Sequence, residues 1–276
     1  MGWHGHLQLD YRRAESRTVL QDRHDGPLRV LRSLHPEGPG ICHNVLVHPP
    51  GGLVGGDTLA IDATLAPQSH ALVTTAGATR FYRSTGPAAV QAISARVEAE
   101  ARLEWLPLET IAFSGCNAES TLRFDLDSGA EMIGWDILAL GLPASEQPFE
   151  RGRYRQSIEL PGRWLERGTI EAADRRLLDS PLGFAGHRTL GVLWFAAGSA
   201  LADARREALL EAARELAAAH PLARTAGITA VQPEVVVLRV LAPAVEPAIG
   251  LMTTVWQAWR REAWAMTGTV PRVWRT

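Results

Sequence analysis

Short alternating strands punctuated by turn clusters fill the chain from residue 5 to about residue 175, and this pattern limits the fold more than any other feature. Leu7, Leu9 and Tyr11 alternate with polar residues, as do the segments Ala60–Leu65 and Thr121–Leu126. A period of two turns one face of each strand toward a core. Between the runs lie Asp25-Gly26-Pro27, Glu37-Gly38-Pro39-Gly40, Ala66-Pro67-Gln68-Ser69, Asp127-Ser128-Gly129 and Pro161-Gly162, all of them turn chemistry. Many short strands spaced in this way point to a sandwich, a barrel or a solenoid. Three times a strand, a small-residue turn and a second strand recur, around Leu72, Leu103 and Met132, which are 31 and 29 residues apart. Such a period fits the coils of a β-helix, each burying its apolar face against its neighbours. The evenly spaced strands of any all-β protein give the same spacing.

The last third reads differently. Leu201–Ala219 predicts a helix with Leu201, Ala204, Ala208, Ala212 and Leu216 as its apolar stripe and Glu211 in reach of Arg214. His220-Pro221 ends it, because proline cannot continue the ladder. A hairpin follows, Ile228–Val231 and Val235–Leu241, turning at Gln232-Pro233. A second helix is expected from about Pro247 to Ala265, with Ile249, Met252, Trp256, Trp259 and Ala263 on one face. No linker separates the two parts. The expectation is therefore one domain over 1–276, strand-rich over 1–175 and mixed over 176–276, with the helical part packed on the strands.

Composition removes several function classes. A formal net charge of -2 lacks the basic footprint of a nucleic-acid or membrane-surface binder. The chain has no lysine, so its 28 basic residues are all arginine. That excludes a Schiff-base lysine and the lysine of a phosphate-binding loop. Two cysteines, Cys42 and Cys116, are too few for a disulfide framework and suit a reducing cytosol. Met1–Asp10 shows no signal-peptide pattern, and Leu190–Leu201 is too short and glycine-broken to span a bilayer. A soluble, cytoplasmic protein is expected.

The segment His48-Pro49-Pro50-Gly51-Gly52-Leu53-Val54-Gly55-Gly56-Asp57 has neither the Gly-Lys-Ser/Thr ending nor the G-x-G-x-x-G spacing of a nucleotide site. Gly52-Leu53-Val54-Gly55 has the spacing of an RNA-clamping loop but no basic neighbours to hold a backbone. Tight turns or close backbone approach explain the glycines, which leaves Asp57 as the residue with chemistry to offer. Cys42, His43 and His48 are possible metal ligands, but their spacing matches no zinc pattern, and a satisfied buried histidine is the competing reading. No H-E-x-x-H, G-x-S-x-G or C-x-x-C occurs. Arg80, Phe81 and Tyr82, in a stretch rich in arginines and hydroxyls, suit a protein-contact or anion-binding surface or a solvated strand end. Asp136 lies in the apolar run Met132–Leu142, where a carboxylate is costly unless paired, hydrogen-bonded or facing a wet cavity. Glu166, after Trp164-Leu165, is a second such acid.

Taken in order, these segments resemble one family. They are His48–Asp57, Thr75–Ser84, Leu103-Glu104-Trp105-Leu106-Pro107, Trp135-Asp136-Ile137-Leu138 with Gly141, and Val255-Trp256 with Pro271-Arg272-Val273-Trp274. Together they are similar to the urease accessory protein UreD family, called UreH in some organisms, and span nearly the whole chain. Residues 172–245 carry no matching motif. The resemblance implies a β-helix-like fold with a small helical part. It implies a non-enzymatic scaffold that binds apo-urease and UreF, with the GTPase UreG supplying nickel. It also implies nickel in transit through an internal tunnel, with no permanently bound cofactor. Asp57, Asp136 and Glu166 are the positions that look like the family's tunnel acids. Transit suits carboxylates, since nitrogen and thiolate ligands hold nickel tightly, while scattered acids lower the electrostatic cost of a divalent ion without trapping it. The readings from other classes are a β-helical carbohydrate-active enzyme working with paired acids and a plain β-rich interaction module.

Overall fold

The computed structural model describes residues 2–142 and 145–275. A hairpin of β1 (His4–Ala14) and β2 (Arg17–Asp25) opens the chain, followed by the short β3 (Arg29–Val30). Four coils then stack. The first holds β4 (Ile41–Val47) and β5 (Thr58–Leu65). The second holds β6 (His70–Thr75), β7 (Thr79–Phe81) and β8 (Ala89–Val97). The third holds β9 (Arg102–Trp105), β10 (Thr110–Ala112) and β11 (Cys116–Leu126), and the fourth β12 (Glu131–Leu142), β13 (Gln147–Pro148) and β14 (Gly152–Leu160). After β15 (Trp164–Glu171) come α1 (Arg175–Asp179), β16 (Thr189–Ala197), α2 (Asp203–Ala218), β17 (Ala226–Gln232), β18 (Val235–Ala242), α3 (Val245–Trp264) and a 3₁₀ turn at Arg272–Arg275.

Successive coils pair in parallel, which makes this a mainly β, solenoid-like fold. One sheet runs β15-β14-β11-β8-β5-β1-β2, and the other runs β17-β18-β16-β12-β9-β6-β4-β3. A third side is formed where β10 pairs in parallel with both β7 and the distal half of β12. In the second sheet the register passes from Ile41 to His70, Arg102 and Glu131, in steps of 29, 32 and 29 residues. The repeat seen in the sequence is therefore real, with one slip. Leu103 pairs with Met132, but Leu72 pairs with Glu104. One residue of slip reverses the face, and Leu72 belongs to a different core from Leu103 and Met132.

There are two cores because the second sheet is covered on both sides. Its inner face meets the first sheet, burying Leu9, Leu103, Phe124 and Leu140. Its outer face carries α2 and α3, burying Trp135, Phe195, Trp256 and Trp259. A strand covered on both faces needs no polar side, and all residues from Met132 to Gly141 are buried.

Both helices and the hairpin form near the expected positions, but α2 presents another face. Leu209, Leu210, Ala213 and Ala217 are buried, while Ala204 is exposed and Ala208, Ala212 and Leu216 are only half-buried. Arg214 pairs with Glu207 at 3.8 Å rather than with Glu211. In α3, Met252, Trp256 and Trp259 are buried as expected. A buried charged cluster pins this helix to the second sheet. Arg260 Nε lies 3.2 Å from Glu104, and Arg260 Nη1 donates to Glu37 at 2.8 Å. Trp256 Nε1 donates to Glu104 at 2.6 Å. His70 Nε2 meets the other Glu104 oxygen at 2.8 Å. Burial pulls His70 below the usual imidazole range, so this last contact is a hydrogen bond from a neutral ring rather than an ion pair.

Candidate functional site

Between the two sheets lies a cavity of about 280 Å³. His48, Pro49 and Gly51 line it together with Thr75–Arg80; Gln91, Trp105, Thr110 and Leu122 form walls from both sheets, and Asp136 completes it. Alternation along β12 explains that placement. Met132, Leu138 and Leu140 face the inner core while Ile133, Trp135 and Ile137 face the helices, so the even-numbered Asp136 shares the inner face. It is 6% exposed.

Asp136 has no cationic partner among the described residues. Gln156, across the gap on β14, donates to it through Nε2. Burial raises its pKa to about 7; the Gln156 bond opposes the rise, and the negative charge of Glu166 adds to it. The same burial raises Tyr154, with the Asp136 charge adding to it. Two ring nitrogens on cavity-lining residues, His48 Nε2 and Trp105 Nε1, are buried without a hydrogen-bond partner among the described residues. Burial lowers the His48 pKa, and the charge of Asp57 pushes it partly back up.

Glu166 sits at the outer edge. Its carboxylate bridges the sheets to Arg239 of β18, whose Nε donates at 2.9 Å. The register running Asp136, Val192, Arg239 places this pair two strands out from Asp136. Asp136 and Glu166 are thus electrostatic neighbours, yet only Glu166 has a counter-charge.

Asp57 is placed differently. Its side chain accepts from the backbone N–H of Val54 at 2.9 Å and of Trp3 at 3.2 Å, which closes the glycine-rich turn and ties down the N-terminal strand. Gly52 in that turn leaves no room for a side chain, because a Cβ there would lie 2.3 Å from the Tyr82 ring. The segment is architectural, as its glycines suggest. Asp57 reaches the cavity only through its field on His48.

Of the contact candidates, Arg80 and Tyr82 are exposed, whereas Phe81 is fully buried against Tyr154. Phe81 cannot present a surface: alternation on β7 turns it inward while its neighbours turn out. The Cys42, His43 and His48 grouping does not assemble either. Cys42 Sγ bonds Asn44, His43 bonds Glu37 at 2.9 Å, and the His48 ring lies 5.0 Å from that of Trp3. Among the described residues no cluster of three or more His, Cys, Asp or Glu is arranged to hold a metal ion. Gln156, the direct partner of Asp136, carries no sequence signal; only the packing of the first sheet, which holds β14, against β12 of the second brings it there.

The model of the UreD urease accessory protein family matches residues 4–275. The chain belongs to the UreD family. It is 61% identical over 276 residues to the urease accessory protein UreD of Variovorax paradoxus (strain S110), covering all of both chains. It is 60% identical over 278 residues to that of Leptothrix cholodnii, again with full coverage. To that of Methylibium petroleiphilum it is 54% identical over 296 residues, with full coverage of both. These UreD relatives are named as accessory proteins, which suggests a non-catalytic role. Among the described residues no helix is long and apolar enough to cross a membrane.

Proposed function

We propose that this UreD chain is a cytoplasmic, non-enzymatic scaffold that binds apo-urease and UreF, with UreG, and assists nickel insertion by letting the ion pass through its interior. The observation that carries this reading is Asp136, a buried carboxyl on the inner face of the coils with a neutral partner and, among the described residues, no counter-ion. A purely structural acid in such a place would be paired, because an unpaired buried charge is expensive. Buried ring nitrogens without protein partners on the same cavity support a wet interior, since an unsatisfied donor costs about 1–3 kcal/mol. No resident cofactor is needed; nickel is cargo.

In this scheme Asp136 holds a proton when the passage is empty and exchanges it for the passing divalent cation. Glu166, held by Arg239, adds negative potential at the far side without becoming a tight ligand. Asp57 shapes the turn near His48 and acts at a distance. Arg80 and Tyr82 belong to a protein-contact face beside the cavity.

The deciding experiment replaces Asp136 by Asn and measures three things: melting temperature, yield of the UreF–urease complex, and nickel content of the urease obtained. The expected result is an intact complex, undiminished stability and less nickel. Nickel lost only in proportion to lost complex would leave the plain interaction module as the better account.

A further inference from the structure

A second feature lies away from the cavity, where the turns after β7 and β10 meet the first residues of β11 and β14. Arg83, Arg151 and Arg153 line one open cleft of about 340 Å³ together with Ser84 and Asn117, and among the described residues no carboxylate lines it. Further along β8, β11 and β14 the arginines are matched: Arg96 with Asp127, Arg123 with Glu159 and Arg155 with Glu119, at 3.0–3.1 Å. At this end three arginines line one cleft and, among the described residues, none has an ion pair. Like charges gathered in this way repel, and a bound anion relieves the repulsion.

The cleft is built rather than incidental. Arg153 Nε donates to Asn117 Oδ1 at 2.8 Å, which fixes the guanidinium while leaving its two terminal nitrogens unspent. The Asn117 amide is itself anchored, donating to Gly86 O at 3.0 Å. The stem of Arg83 lies across Gly115, where a Cβ would come within 2.9 Å of it and where φ is +87°. Only glycine accepts both conditions without strain. Ser84 Oγ is buried with no hydrogen-bond partner among the described residues.

We infer that this cleft binds an oxoanion, with the planar forks of Arg83, Arg151 and Arg153 as its donors. Guanidinium groups match carboxylate and phosphate oxygens in pairs. The ligand is either a small free oxoanion or a carboxylate on an acidic segment of a protein partner. The inference does not depend on the nickel-transit reading, because none of these residues lines the inner cavity.

The test uses the full-length chain at constant ionic strength, titrated with inorganic phosphate and, separately, with a hexaglutamate peptide, by calorimetry. Saturable binding of either probe is expected, weakened about tenfold by Arg83→Gln or Arg153→Gln, with melting temperature unchanged. Arg12→Gln, an exposed arginine on β1, should have no effect. Phosphate binding without peptide binding assigns the cleft to a small oxoanion; the reverse assigns it to an acidic protein segment. Heats no different from those of chloride, or equal weakening by Arg12→Gln, overturn the inference.

Discussion

Glu104 and Asp136 are both buried carboxyls on adjacent strands of one sheet, and they behave in opposite ways. Glu104 faces the helices, where His70, Arg260 and Trp256 contact it; these partners outweigh burial and hold it below the usual carboxylate range. Asp136 faces the inner cavity with one neutral partner, and burial pushes it up to about 7. Equal burial therefore does not give equal chemistry. The partners decide whether a buried acid is a fastener or a group poised to change its charge.

The largest expected effect tests the fastener. Removing one member of a buried ionic pair strands the other, at a cost of about 3–5 kcal/mol. Arg260→Ala and Glu104→Ala should each destabilise the fold by that order in chemical denaturation. Because the Glu104 pKa is lowered by folding, its contribution is present above the unfolded carboxyl value and is lost as pH falls through the folded value. Acid unfolding of Glu104→Gln should accordingly be flatter than that of wild type. Equal acid sensitivity would place the cluster outside the stability of α3.

Asp136 should show the reverse sign. Folding raises its pKa, so its favourable contribution is present below the unfolded value and is lost as pH rises toward about 7. Asp136→Asn should match or exceed wild type in melting temperature above pH 7, and lose that advantage near pH 4. Nickel delivery by wild type should rise with pH through about 7 if a proton must leave before the cation enters. A melting profile parallel to wild type across this range would mean that Asp136 does not titrate there.

A smaller effect is expected at the outer edge. Glu166 and Arg239 are 26% and 45% exposed, so solvent screens their pair, and Glu166→Ala should cost under about 1 kcal/mol. It should also lower the Asp136 pKa by removing a negative neighbour, which a pH series of melting temperatures can detect. The least change in stability is expected for Arg80→Ala, within about 0.5 kcal/mol as for an ordinary surface site. Its effect should appear in pull-down with UreF and urease subunits, and an unchanged yield would remove Arg80 from the contact face.

Some of this was legible in the residues. The turn clusters and the near-30-residue recurrence at Leu103 and Met132 gave the coils, because turn chemistry and side-chain alternation are local properties. The apolar run around Asp136 marked that acid as unusual for the same reason. The α2 face is not legible in the sequence, because its many alanines carry almost no directional signal, leaving Leu209 and Leu210 to choose the side that packs.

What the sequence determined by itself was the strand-and-turn grammar, the absence of lysine chemistry, and the family, through motifs that keep their order along the chain. Tertiary structure alone decided which acids matter and how. Gln156 reaches Asp136 from 20 residues away, Trp256 reaches Glu104 from 152, and Arg239 reaches Glu166 from 73. A pKa depends on what lies within a few ångströms, and those neighbours are set by stacking of coils and docking of helices, which no local pattern records.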